Sequence, residues 1–195
     1  MSPVGSVLIA AALAETAPGR LDVAVSLGAG VSLGGLGLSA APGVEAGVLL
    51  GENGRFTALL GGNYSGGHAE GRGKDAGAPS GFTWELDVRG FQLDPGVRWR
   101  VLPWSEAISP EIGLGPMLSV GEATVTGRAD GASFPETSEP WAAIGGWASG
   151  GIVGRVGPGM LEGRVAFSLL PMATNLTGSA LLPTLTPSVG YRIVR

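Results

Sequence analysis

The chain has no cysteine among its 195 residues. A disulfide framework, a thiolate metal site and a cysteine nucleophile are therefore excluded. Charge is scarce as well, at 14% Asp, Glu, Lys and Arg, where a water-soluble domain carries about 25%. There is a single histidine. No apolar run reaches the roughly 18 residues that a membrane-spanning helix needs. The bases are few and scattered among acids, with a net charge of −4, which argues against a nucleic-acid partner. Glycine is abundant, with 36 residues, and the mean hydropathy is +0.31. Low charge and positive hydropathy without a helix-length apolar segment point to a protein that crosses a membrane as strands. A Gly-rich soluble β-domain is the alternative.

The stretch from Phe82 to Val101 organises the rest. It opens Phe82-Thr83-Trp84-Glu85-Leu86-Asp87-Val88-Arg89, with large apolar side chains at every second position, the period of a strand with two unlike faces. The apolar set moves from even positions (Val88) to odd ones (Phe91, Leu93, Val97, Trp99) near Gly90. A one-residue slip at a glycine reads as a β-bulge; a turn at Asp94-Pro95-Gly96 is the alternative. With the bulge, Leu86, Leu114 and Val165 are expected to face lipid near mid-bilayer.

Seven further strands follow from the same alternation: Leu21–Leu33, Val44–Leu50, Arg55–Ser65, Ile108–Val125, Trp141–Val156, one around Leu161–Leu169 and one from Leu181 to the end. The connections alternate in kind. Glu52–Gly54, Pro103–Ala107 and Gly157–Gly159 are short. Gly34–Gly43, Gly66–Ser80, Arg128–Pro140 and Met172–Ala180 are longer. In an up-and-down barrel all the short ones then fall at one rim and all the long ones at the other, as in bacterial outer-membrane barrels. Tyr64, Phe82, Trp84 and Trp141 are expected near the loop rim, and Phe56, Trp99, Trp104 and Tyr191 near the turn rim. Trp and Tyr prefer the membrane–water interface, so these read as two aromatic girdles. Before the first strand, Val4–Ala14 is a short apolar run ending in Ala12-Leu13-Ala14. It reads as a signal-peptide-like segment over 1–14, followed by a linker over 15–20 and a barrel over 21–195.

On strand pattern, girdles and the closing stretch Leu185–Arg195, the chain resembles the small eight-stranded outer-membrane barrels of the OmpA/OmpX-like group. The resemblance implies an all-β fold, an eight-stranded antiparallel up-and-down transmembrane β-barrel, in the bacterial outer membrane. It departs from that group at the terminal residue, Arg195, where an aromatic is usual. Pro95, Pro110, Pro116 and Pro187 fall within strands, and each lacks an N–H for the ladder.

Inside such a barrel the charged faces of the strands would meet. Glu45, Glu85, Asp87, Asp94, Glu111 and Glu162 stand against Arg89, Arg98, Arg100, Arg164 and Arg192, a near balance that suggests mutual pairing in the lumen. An eight-stranded interior is just wide enough to be filled by side chains, so a plugged barrel is favoured over a narrow solute channel. A soluble lipocalin-like barrel, apolar inside and charged outside, is the further alternative. His68 with Glu70 and Ser65 can be sketched as a catalytic set, which the resemblance to lipid-modifying barrels suggests. A glycine-rich loop, however, cannot hold such groups in place. The expectation is a monomeric, non-enzymatic protein without cofactor or metal. Outer-membrane lipid surrounds it, and an external ligand is reached through the loops 66–80 and 128–140. The role is in envelope structure or loop-mediated binding.

Overall fold

A computed structural model describes residues 21–32, 38–50, 55–75, 78–102, 106–129, 132–174 and 178–194. The signal-like segment, the linker, Trp104 and Arg195 lie outside the described residues. Strands run β1 (Leu21–Ser32), β2 (Leu38–Leu50), β3 (Phe56–Asp75), β4 (Ala78–Arg100), β5 (Ile108–Ala129), β6 (Ala132–Ser133), β7 (Thr137–Val156), β8 (Gly159–Thr174) and β9 (Gly178–Val194). The order is β4-β3-β2-β1-β9-β8-β7-β5, with β4 also paired to β5 and the two-residue β6 folded back on β5. Every pairing is antiparallel, and the β4–β5 pair closes the ring. This is the eight-stranded up-and-down barrel. Gly157, with φ of 60°, starts the tight β7–β8 turn in a conformation that other residues adopt only with strain.

Alternation decides which way each side chain points. Val25, Leu27, Phe56, Leu60, Ile112, Leu118, Ile152 and Val189 face outward and are exposed. Leu114 and Val165 are also exposed outward. On β5 the outward apolar series runs from Ile108 to Val120. Its twelve steps (120 − 108) cover about 40 Å along a strand, or about 30 Å along the axis at a tilt of about 40°. That matches the hydrocarbon thickness of a bilayer, about 30 Å.

Two expectations about β4 are corrected. There is no bulge at Gly90: β3–β4 register runs unbroken from Phe56↔Trp99 to Gly73↔Phe82. With no slip, even-numbered residues point inward throughout. Leu86 and Val88 are therefore buried inside, not set against lipid. Gly90 is there for another reason. A Cβ at Gly90 would lie 2.8 Å from the Trp141 ring, and one at its partner Gly121 would lie 2.5 Å from that ring. The pair of glycines makes the bed on which the indole lies.

The long connections are also largely strand. Residues 66–75 and 78–80 extend β3 and β4, and 137–140 belong to β7. Above the bilayer, then, β3, β4, β5 and β7 continue as a tall sheet. On this extension the faces exchange character. Glu85, Arg89 and Glu122 point out to water, while Leu86, Val88, Ala123 and Trp141 point inward and pack with Met117 and Leu170 beneath them. The strand has not slipped; the medium outside it has changed from lipid to water.

Two ladders are interrupted. β4–β5 pairing lapses between Leu93↔Leu118 and Val97↔Leu114, where Pro95 comes opposite Pro116. β1–β9 pairing lapses between Gly28↔Ser188 and Val31↔Leu185, beside Pro187. Pro95, Pro110, Pro116 and Pro187 all stay within strands.

Candidate functional site

The lower half of the interior, toward the turn rim, is held by ion pairs. Arg192 on β9 is fully buried. Its two terminal nitrogens donate to the two oxygens of Glu111 on β5, each at 3.0 Å. This is the parallel fork that makes Arg–carboxylate pairing strong and directional. The same guanidinium donates to Glu162 on β8 and lies 3.4 Å from Asp22 on β1. From Glu162 the chain of charge passes to Arg164 at 3.3 Å, and from there to Glu45 on β2 at 2.9 Å. Glu45 accepts from Arg98 on β4, and Arg98 returns to Glu111 at 3.6 Å. Arg192, Glu162, Arg164, Glu45, Arg98 and Glu111 thus form a closed circuit of alternating sign that crosses the lumen. Period-two alternation carries one charged side chain inward from most strands, and the shared register brings them to one level.

Arg100 and Asp94 lie on the same inward face, Arg100 directly across the ladder from Glu111. Arg100 is buried below the circuit and donates to the Glu106 carbonyl oxygen at 3.3 Å. Asp94 is above it and accepts from the Asn63 amide. Asp22 is an acid absent from the set expected in the lumen, although it stands on the polar face of the first alternating run.

Glu85, Asp87 and Arg89 do not join this cluster. They lie on the outward face of β4, because its phase does not change at Gly90. Glu85 and Arg89 are exposed, and Arg89 is paired in register with Glu122. Asp87 bonds His68 across the ladder at 3.0 Å. That hydrogen bond pushes the His68 imidazole up from its ordinary value, and the charges of Asp87, Glu85 and Glu70 add to it. Ser65 lies on the inward face of β3, while His68 and Glu70 lie on the outward face. The sketched catalytic set is therefore divided by the barrel wall.

The girdles are corrected in part. Phe56, Trp99, Tyr191 and Tyr64 face outward. Phe82, Trp84 and Trp141 point inward, since even positions of β4 and odd positions of β7 line the interior. A Cβ at Gly71 would come within 2.4 Å of the Trp84 ring and one at Gly73 within 2.4 Å of Phe82. These inward rings cover glycines of the neighbouring strand and fill the extension's core.

Between the charged circuit and the apolar plug lies a chamber of about 90 Å³ lined by Asn63, Gln92, Asp94, Met117, Trp147 and Ser149, among others. A second space of about 70 Å³ above it shares Asn63, Gln92, Ser168 and Thr186. Among the described residues no cluster of His, Cys, Asp and Glu has metal-holding geometry.

No family model matches the sequence, and no curated protein matches it. The fold has solved counterparts. A major outer membrane protein from Thermus thermophilus superposes with a TM-score of 0.61 at 14% identity, over 90% of this chain and 99% of that one. This chain has the fold of a small outer-membrane β-barrel. Neisserial surface protein A aligns at 15% identity over 89% of this chain and 95% of its own, with a TM-score of 0.48. Ail of Yersinia pestis aligns at 11% identity over 90% and 99%, also at 0.48. The apolar band provides the physical half of the assignment. A belt of exposed Leu, Ile, Val and Phe the height of a bilayer, around a charged interior, is stable in an outer membrane and not in water. The soluble lipocalin-like arrangement has the opposite polarity and does not describe the membrane-height part of the barrel.

Proposed function

We propose that this barrel is a non-conducting, non-enzymatic element of the outer membrane that works through its body and its external sheet. The observation that carries the reading is the closed circuit centred on Arg192. Six side chains from five strands meet across a lumen that is narrow to begin with, and each charge is answered by one of opposite sign. An ion would have to displace a guanidinium from two carboxylates to pass. Above the bilayer, the stretches 66–75, 78–80 and 137–140 form ordered sheet rather than loose loops. Together with the adjoining parts of β4 and β5, their outward face presents His68, Glu70, Arg72, Glu85, Arg89 and Glu122. Such a surface suits a mixed-charge partner or a neighbouring envelope component, engaged by a monomeric barrel. Purified protein in planar bilayers is expected to show no stepwise conductance at neutral pH. Arg192→Ala, which removes the centre of the circuit, is expected to introduce a leak. Steady conductance by the unaltered protein would instead favour the narrow-channel reading.

A further inference from the structure

The β4–β5 wall has a flaw at membrane depth. Leu93↔Leu118 and Val97↔Leu114 are paired, and Asp94, Pro95 and Gly96 between them have no ladder partners on β5. The register puts Pro95 opposite Pro116. In an antiparallel ladder, alternate facing pairs exchange two N–H···O bonds. Here both donors of one such pair are missing. The other partners of these prolines, Leu60 on β3 and Gly146 on β7, remain in register, so the lapse is confined to this seam. One bond bridges it from within: the Trp147 indole N–H donates to the freed Pro95 carbonyl at 3.4 Å. That is longer than the usual N–H···O bond of about 2.9 Å.

Directly behind the seam is the chamber. Asp94 and Met117, the residues flanking the two prolines, line it, and so does Trp147. Below, the chamber meets Glu45 and Arg164 of the charge circuit. Above, the space it adjoins ends on Val88, Trp141 and Leu170 of the apolar plug. The chamber is thus bounded below by the charge circuit and above in part by the plug, while at the seam the ladder gives way to the close approach of Gly96 and Gly115 and the long Trp147 hydrogen bond. Outside the seam, the exposed neighbours are Leu93, Val97, Leu114 and Leu118, which face hydrocarbon.

We infer that the chamber communicates sideways with the bilayer through the Pro95–Pro116 seam, with the Trp147 indole as its stopper. The chemistry of the path selects the occupant: a small, mainly apolar molecule already dissolved in the membrane, with one polar group for Asn63, Gln92 or Asp94. This goes beyond the proposed function and does not rest on it, since a barrel sealed end to end can still open laterally.

The chain has no cysteine, so a single near-isosteric Ser149→Cys substitution places one thiol in the chamber. In liposomes, a bilayer-soluble reagent such as N-phenylmaleimide is expected to label it at least about tenfold faster than a charged, impermeant thiosulfonate. Pro95→Val with Pro116→Val restores both backbone donors. Each restored bond biases an opening equilibrium about fivefold, so labelling by the apolar reagent should slow roughly tenfold or more. Equal rates with and without the prolines, equal labelling by the charged reagent, or no labelling by either would overturn the inference. Should the double proline variant not fold, Trp147→Ala on the Ser149→Cys background decides: the apolar reagent must then react faster, and an unchanged rate overturns the inference. Conductance is read separately, so a leaking lumen and a sealed seam remain distinguishable results.

Discussion

Arg192 carries more of the interior than any other single side chain. It is fully buried and holds Glu111 and Glu162, with Asp22 close by. Removing one member of a buried charged set leaves its partners uncompensated, at a cost of about 3–5 kcal/mol. Arg192→Ala should lower stability by that order in urea unfolding from lipid vesicles. Arg192→Lys should fall between, because an ammonium cannot form the two-pronged contact with Glu111. His68 gives a second residue-scale test, outside the membrane. Its hydrogen bond to Asp87 favours the protonated ring, so the folded-state value is raised above the unfolded one. The stabilisation from this pair is complete below the unfolded value of about 6.5 and is lost as pH rises through the folded value. A proton NMR titration should find His68 above its ordinary value, and Asp87→Asn should bring it down. The pair is exposed at 52% and 47%, so global stability should barely respond. The inward set of Glu45, Arg98, Glu111, Glu162, Arg164 and Arg192 was legible because each sits in a run of clean alternation. Their partners were not, because pairing depends on register between strands, and a one-residue slip would scramble it. Asp22 could have been found by the same rule, as it stands opposite Val23 and Val25 in alternation.

At the scale of one strand, β4 shows where sequence pattern runs short of structure. Its period was plain, but period does not say which face is in. The change of apolar parity at Gly90 has two physical causes, a bulged backbone or a straight strand leaving the lipid, and the same letters encode both. The straight strand holds because Gly90 and Gly121 are matched to Trp141, a cross-strand relation invisible within β4. The two causes make opposite predictions. Leu86→Ala removes a buried side chain from the plug and should cost about 2–5 kcal/mol; a lipid-facing Leu86 would make it nearly silent. Leu114, 57% exposed on the membrane face, responds to charge instead. Leu114→Arg should destabilise by about 2–4 kcal/mol near the midplane, whereas Glu85→Ala on the watered extension should stay within about 0.5 kcal/mol. Denaturant titrations of the three variants in one lipid separate the assignments.

For the whole molecule, the alternation of short and long connections was enough to give the eight-stranded ring, because it depends on the order of elements and not on their phase. It did not reveal that the long connections stand up as sheet, since glycine-rich polar segments read equally as loops; their aromatic-on-glycine packing appears only when strands are side by side. The interruption at Pro187 bears on how the ring comes into being. β1 and β9 are the first and last strands, so no hairpin guides their meeting. Their encounter closes nearly the full chain, at an entropic cost that local pairing does not bear. Zippering can proceed from Asp22↔Val194 as far as Gly28↔Ser188, and there it halts. The nascent protein should therefore linger as a curled sheet with its outer lip unsewn. Pulsed hydrogen exchange should find the amides of Val31 and Leu185 among the last protected. Pro187→Val should hasten the appearance of the compact, heat-modifiable form on gels, and an unchanged rate would mean that the seam is joined by some other route.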